Sequence, residues 1–311
     1  MASVPPDPMR VFDRALLRRR RDRAARTLAE YDFLLREVAE RLAERLADVR
    51  RSFPLSLDLG CHSGQLGRVL GARGGIETLV RADLSPVMAG AAGGCALAAD
   101  EEALPFAPAS FDLAASAFSL HWVNDLPGAL LQLRHCLKPD GLLLAAMTGG
   151  ETLWELREAL LEAEAEVSGG ISPRVSPGTS VADLGGLLQR AGFALPVVDV
   201  DSITVSYGDP LALMRDLRGM GEANAVHARR RTFTPRALFF RAAEIYRARH
   251  GDTEGRVPAT FQVHFLTGWA PHESQPRGLR PGSAAARLAE ALDVPETATG
   301  VKARPGGPKT R

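Results

Sequence analysis

The chain has 311 residues, 45% of them hydrophobic, which is enough for one large α/β domain or two small ones around a buried core. Its 38 Lys and Arg against 37 Asp and Glu leave a net charge of +1, which argues against a non-specific nucleic-acid binder. No apolar run approaches the roughly 18–20 residues that span a bilayer, and the N-terminus lacks the apolar core of a signal peptide.

Residues 11–49 carry a helical pattern. Leu28, Tyr31, Leu35, Val38 and Leu42 recur at spacings of three and four, predicting one or two helices with one apolar face. The basic run Arg18–Arg21 lies here with Asp13, Asp22 and Glu30 interleaved, so it reads as an exposed helix face rather than a transit peptide. Strands are predicted at Ser56–Leu59, Thr78–Asp83, Cys95–Ala99, Phe111–Ser116 and Gly141–Met147, with a helix over Gly64–Leu70. Strands alternating with helices imply a parallel sheet covered on both faces. A helix over Leu153–Val167 follows, then a Gly/Pro/Ser-rich loop (Ser168–Gly178) and a helix capped by Ser180 that ends near Gly192. Val197–Tyr207 and Ala259–Trp269 have strand composition. Between them lie helices Pro210–Met220 and Pro235–Arg249, the second with Thr234 as its cap. Beyond Pro271, Pro, Gly and charged residues predict a mostly disordered tail. The expected organisation is an N-terminal helical extension (1–52), a main domain (53–270) and the tail (271–311). A helical insertion at about 208–255 is expected to form a substrate lid with the N-terminal helices. The cysteines Cys61, Cys95 and Cys136 form no CxxC pair and read as thiols of a reducing compartment.

Three features carry chemistry. The turn Asp58-Leu59-Gly60-Cys61-His62-Ser63-Gly64 follows the first strand, and its small residues let backbone approach a nucleoside. Asp83 ends the second strand, where an acid can accept from both ribose hydroxyls. Asp100-Glu101 ends the third, where a carboxylate can accept from an adenine amino group. Their order places all three at the carboxyl ends of adjacent strands, where open parallel sheets bind ligands.

These motifs resemble the class I S-adenosylmethionine-dependent methyltransferases. Asp58–Gly64 is similar to the acid-x-Gly-x-Gly-x-Gly loop of that superfamily, and Asp100–Phe106 with Ser110-Phe111-Asp112 to its adenine-side segment. Leu137–Gly141 is similar to its turn into the fifth strand. The resemblance implies a Rossmann-like sheet of seven mostly parallel strands. It also implies S-adenosylmethionine as cofactor, with Asp58, Gly60, His62, Gly64, Asp83, Leu84, Asp100, Glu101 and Phe118 as the candidate binding set. His62 stands in place of the usual middle glycine, and its imidazole is expected to crowd the methionine end of the cofactor.

A closer resemblance covers residues 12–283. Phe12-Asp13-Arg14, Leu120–Leu126, Gly150–Arg157, Asp216–Asn224, Val257–Gln262, Gly268-Trp269 and His272-Glu273-Ser274 are similar to the mitochondrial complex I assembly factor 5 family. That family has a methyltransferase fold and is described as hydroxylating an arginine of a complex I subunit. The resemblance implies a protein substrate, no nucleic acid, and the bacterial cytoplasm or the mitochondrial matrix as location. Malonyl-carrier-protein methyltransferases share parts of the pattern.

His121 and Trp122 follow the fourth strand and read as a substrate wall or as strand-end packing. Glu222 and Asn224 follow Gly219-Met220-Gly221 and read as a grip for a cationic side chain or as a solvated loop after a helix cap. These four are the candidate catalytic residues. No metal site is expected, since His250-Gly251-Asp252 lies in a charged loop and not on a β-sandwich strand. Methyl transfer, arginine hydroxylation and non-catalytic assembly remain as three functional readings.

Overall fold

The computed structural model describes residues 10–276, 290 and 292–295. The chain divides into residues 1–272 and 273–311. Every element below lies in the first unit; of the second, residues 292–295 are exposed. Most of the predicted tail falls outside the described residues.

Two helices lead in. α1 (Arg14–Ala24) is capped by Asp13, whose carboxylate accepts from the Leu16 N–H at 2.9 Å and satisfies one of the donors a helix start leaves open. α2 (Phe33–Ala47) carries the predicted stripe, burying Leu34, Leu35, Val38, Leu42 and Leu46. Burying each such side chain contributes about 1.5–3 kcal/mol, so α2 is held as a layer of the domain.

The sheet comprises β1 (Leu55–Leu59), β2 (Thr78–Asp83), β3 (Cys95–Ala98), β4 (Phe111–Ala117), β5 (Leu137–Thr148), β6 (Ala194–Tyr207) and β7 (Val257–Trp269), in the order β3-β2-β1-β4-β5-β7-β6. The first five strands run parallel, and β7 is antiparallel to both β5 and β6. The other helices are α3 (Gln65–Leu70), α4 (Pro86–Ala92), α5 (Leu126–Cys136), α6 (Trp154–Ser168), α7 (Val181–Arg190), α8 (Pro210–Gly219) and α9 (Arg236–His250). The period of two along β4 and β5 divides the core. Leu113, Ala115, Leu142 and Leu144 share one apolar cluster with α2, α6 and α9, while Ala114, Leu143 and Ala145 share another with α5 and α7. Both faces are thus covered, which is why these strands read as unbroken apolar runs.

The predicted strands and helices are present, with local differences. β5 begins at Leu137, directly after α5, because Leu137 pairs with Phe111 before a bulge and Lys138 Nζ reaches Asp112 Oδ1 at 2.9 Å. Thr234 does not cap α9. Pro235 takes that place, and the Thr234 hydroxyl accepts from Arg174 Nη1 at 3.1 Å. One member of the basic run expected on an exposed face, Arg21, is fully buried. α8 and α9 fill the connection between β6 and β7. α9 lies against α6 and buries Leu238, Ala242, Ile245 and Tyr246. No helix among the described residues is long and apolar enough to cross a membrane.

Candidate functional site

The loop after β1 is built by left-handed backbone. Gly60 (φ 70°) and Gly64 (φ 88°) adopt conformations that side chains resist, and a Cβ on Gly60 would lie 2.0 Å from Ser119 Cβ. His62 shares this conformation at φ 48° despite its side chain. Its N–H donates to Asp83 Oδ2 at 3.0 Å, and the Ser85 N–H donates to Asp83 Oδ1 at 2.8 Å. Asp83, fully buried at the end of β2, therefore organises the loop from below.

The remaining face of this acid cluster is held by α1. Arg21 Nη1 lies 3.6 Å from Asp83 Oδ2, 3.6 Å from Glu101 Oε1 and 3.4 Å from Ser119 Oγ. Arg14 Nη2 donates to Asp100 Oδ1 at 2.5 Å and also to Glu101, which accepts from the Ser119 hydroxyl as well. Burial alone would raise the Glu101 pKa; Arg14 and Arg21 hold it below the usual carboxylate range. Leu84 is covered by Phe12, Leu17 and Trp122. The strand-end acids expected to face a nucleoside thus face two guanidinium groups of the chain itself. Sequence reasoning missed Arg14, Arg21 and Ser119. The signal was present for the arginines: Arg14, Leu17, Arg21 and Ala24 lie on one side of α1 by helical spacing.

Asp58, buried beneath the loop, has its pKa pushed up to about 7, chiefly by burial, with Arg81 opposing and Asp83 reinforcing. The fold holds this proton at pH values where the unfolded chain, at 3.8, has released it. The stability it contributes is full below 3.8 and is lost as pH rises through about 7. Asp58→Asn should abolish that loss. In urea unfolding, wild type should weaken relative to the variant by on the order of 3 kcal/mol between about pH 5 and about pH 8. Parallel pH profiles would show that Asp58 is ionised in the folded protein.

On the far side of His62 opens a cavity of about 330 Å³. Leucines from α1–α2 and α6, with Phe118, Phe239 and Phe261, make most of its wall; His62, His121, Trp122 and Glu222 supply polar groups. Glu222 comes from the α8–α9 connection and meets the two residues after β4. Trp122 Nε1 donates to Glu222 Oε2 at 2.5 Å, and His121 Nε2 lies 3.4 Å from the same oxygen. The other oxygen, Oε1, is buried without a hydrogen-bond partner. Burial would raise this carboxyl's pKa, but the His121 hydrogen bond and the Arg21 charge hold it low, so it stands charged. Asn224 behaves differently. Its amide donates to Pro173 O at 2.7 Å and its oxygen accepts from the Val226 N–H at 3.0 Å, so it fixes the connection that carries Glu222.

His62 is the partition between loop and cavity. Its ring is buried, and burial with Arg21 nearby pushes its pKa down, keeping it neutral. Nε2 lies 3.1 Å from Ala117 O, and since a carbonyl only accepts, Nε2 carries the proton. Nδ1 is left as a buried acceptor with no partner. Phe118, at φ 51°, packs edge-on to His121 beside it. His250, weighed with Asp252 for a metal, gathers no ligand set. His250 pairs with Glu158 at 3.1 Å, and no group of three metal ligands occurs among the described residues.

Comparison with known proteins bears on the fold and the family. The family described as "Methyltransferase domain" matches residues 57–145, from β1 through most of β5. The zebrafish (Danio rerio) protein named arginine-hydroxylase NDUFAF5, mitochondrial, is 44% identical over 290 residues, covering 91% of this chain and 89% of the relative. A malonyl-[acyl-carrier protein] O-methyltransferase of Methylovorus sp. is 34% identical, covering 87% of this chain and 94% of that protein. Among solved structures, the Bacillus subtilis YcgJ protein superposes with a TM-score of 0.52 at 14% identity over 74% of this chain and 98% of its own, a likeness of fold. Loop, strand order and full-length similarity converge on one assignment: the chain is an enzyme of class I methyltransferase fold and belongs to the family of the NDUFAF5 arginine-hydroxylases.

Proposed function

We propose that the chain binds S-adenosylmethionine at the Gly60–Gly64 loop and acts on an arginine side chain of a respiratory complex I subunit, hydroxylating it as its NDUFAF5 relatives are named to do; one oxygen atom would come from dioxygen, the other leaving as water with two electrons and two protons from a reductant outside the chain. The observation that carries the reading is Glu222. A charged carboxylate with one oxygen buried and unpartnered, in a largely apolar cavity beside the cofactor loop, calls for a cation that brings its own hydrogen-bond donors. A guanidinium does so in a planar fork.

The loop backbone fits the cofactor, since Gly60 and Gly64 let it approach, and of the acids assigned to ribose and adenine only Asp100 is partly exposed, Asp83 and Glu101 being buried. Arg21 and Arg14 engage those acids in this structure, so binding requires them to give way. When bound, S-adenosylmethionine supplies an electrophilic methyl group on a sulfonium. The chain's own part is to hold the guanidinium at Glu222, to keep water out with the leucine and phenylalanine wall, and to present the neutral His62 Nδ1 as a proton acceptor. Glu222, kept charged, is a poor base and a good anchor.

Co-expression with complex I subunits followed by mass spectrometry tests the proposal. An arginine gaining about 16 Da is the expected result, and about 14 Da would indicate methyl transfer instead. Unmodified arginines, with a carboxyl of a carrier-protein thioester methylated, would overturn the arginine reading.

A further inference from the structure

The mouth of the cavity has the charge opposite to its interior. Arg20, Arg174 and Arg218 line it. Arg20 is spent on the Ala223 and Asn224 carbonyls, and Arg174 on Glu164. Arg218, with Arg23 and Arg26 nearby, is exposed, and none of the three forms an ion pair among the described residues. The crowding is felt within the group: burial, then the nearby Arg229 and Arg23, with Arg218, push the pKa of Arg20 below its ordinary value. In a chain of net charge +1 this is a local excess of one sign. Two large apolar side chains stand in the same region. Phe233 is 85% exposed and Ile171 72%, and their segments are tied together by the Arg174–Thr234 hydrogen bond.

A bare arginine approaching this rim is repelled before it can reach Glu222. We propose that the face formed by α1, the 218–233 connection and the 171–174 loop docks an acidic protein surface, whose carboxylates flank the side chain delivered into the cavity. This rests on the reading that the cavity takes an arginine. The carboxylates neutralise the unpaired guanidinium groups and steer the encounter, and Phe233 with Ile171 supplies apolar anchorage. Arginine and aromatic residues together are the composition of a protein interface. An exposed isoleucine offers little to a stacked nucleic-acid base, which favours a protein partner.

The test uses the full chain and synthetic peptides. One has a central arginine between glutamates, a second replaces the glutamates with lysines, and a third keeps the glutamates around a central alanine. The glutamate–arginine peptide should bind at least about tenfold tighter than the lysine form, and the difference should shrink as salt is raised. Arg23→Glu with Arg26→Glu should weaken it about tenfold, Phe233→Ser should weaken it severalfold, and S-adenosylhomocysteine binding should be unchanged in each. Equal binding of the glutamate and lysine peptides, no binding of either, or an unaffected charge-reversed variant would overturn the proposal. Tighter binding of a single-stranded DNA oligonucleotide than of the acidic peptide would reassign the surface to nucleic acid. The alanine peptide separates the two readings. If it binds as well as the arginine peptide, the docking surface stands and the arginine pocket falls.

Discussion

Arg21→Ala is expected to destabilise the ligand-free protein and to tighten S-adenosylhomocysteine binding at the same time. Arg21 sits wholly buried between Asp83 and Glu101. Its removal strips two buried carboxylates of a shared counter-charge, and breaking a buried pair in this way costs about 3–5 kcal/mol. For a chain of this size that lowers the melting temperature by roughly 10 °C. Ligand hydroxyls can then satisfy Asp83 without first displacing a guanidinium. The dissociation constant should fall about tenfold, equivalent to about 1.4 kcal/mol. Thermal melts with and without ligand, alongside calorimetric titration, read both effects. Weaker binding by the variant would make Arg21 a cofactor ligand rather than the occupant of the cofactor's seat. Arg21→Lys keeps the charge and should restore much of the lost stability.

Glu222→Gln should leave the protein folded, leave S-adenosylhomocysteine affinity within about twofold, and cut arginine modification roughly 100-fold. The amide preserves shape but removes the charge that offsets desolvation of the incoming guanidinium, a loss on the order of 3 kcal/mol. The deficit should lie in KM as much as in kcat, because Glu222 holds the substrate from its entry onward. Trp122→Phe, which removes one hydrogen bond to Glu222 Oε2, should give an intermediate defect. Wild-type modification by Glu222→Gln would reduce Glu222 to a packing partner of Trp122.

What was legible in the sequence follows from range. β1, β2, β4 and β5 are apolar runs ended by turn residues, and Asp58–Gly64 and Asp83 sit where strand ends must put them, so pattern alone located them. The meeting of Trp122 with Glu222 joins residues 100 apart through the α8–α9 connection, and no local pattern encodes it. The basic run misled for a physical reason. Arginine is almost never fully buried unless paired, and the partners of Arg21 lie on β2 and just after β3. Helical spacing puts Arg14, Leu17, Arg21 and Ala24 on one side of α1; the assembled sheet supplies the acids that draw that side inward.

Cys61 lies within the loop, buried between Gly60 and His62. Burial, reinforced by Asp58 and Asp83, pushes its thiol pKa far up. The thiolate is the species that peroxides and alkylating agents attack. A sulfur this firmly protonated leaves the loop chemically quiet. Cys136 is also buried and its thiol is likewise raised. Cys95 is exposed on β3 at the edge of the sheet. A maleimide dye would therefore label the native protein at Cys95 and spare the loop.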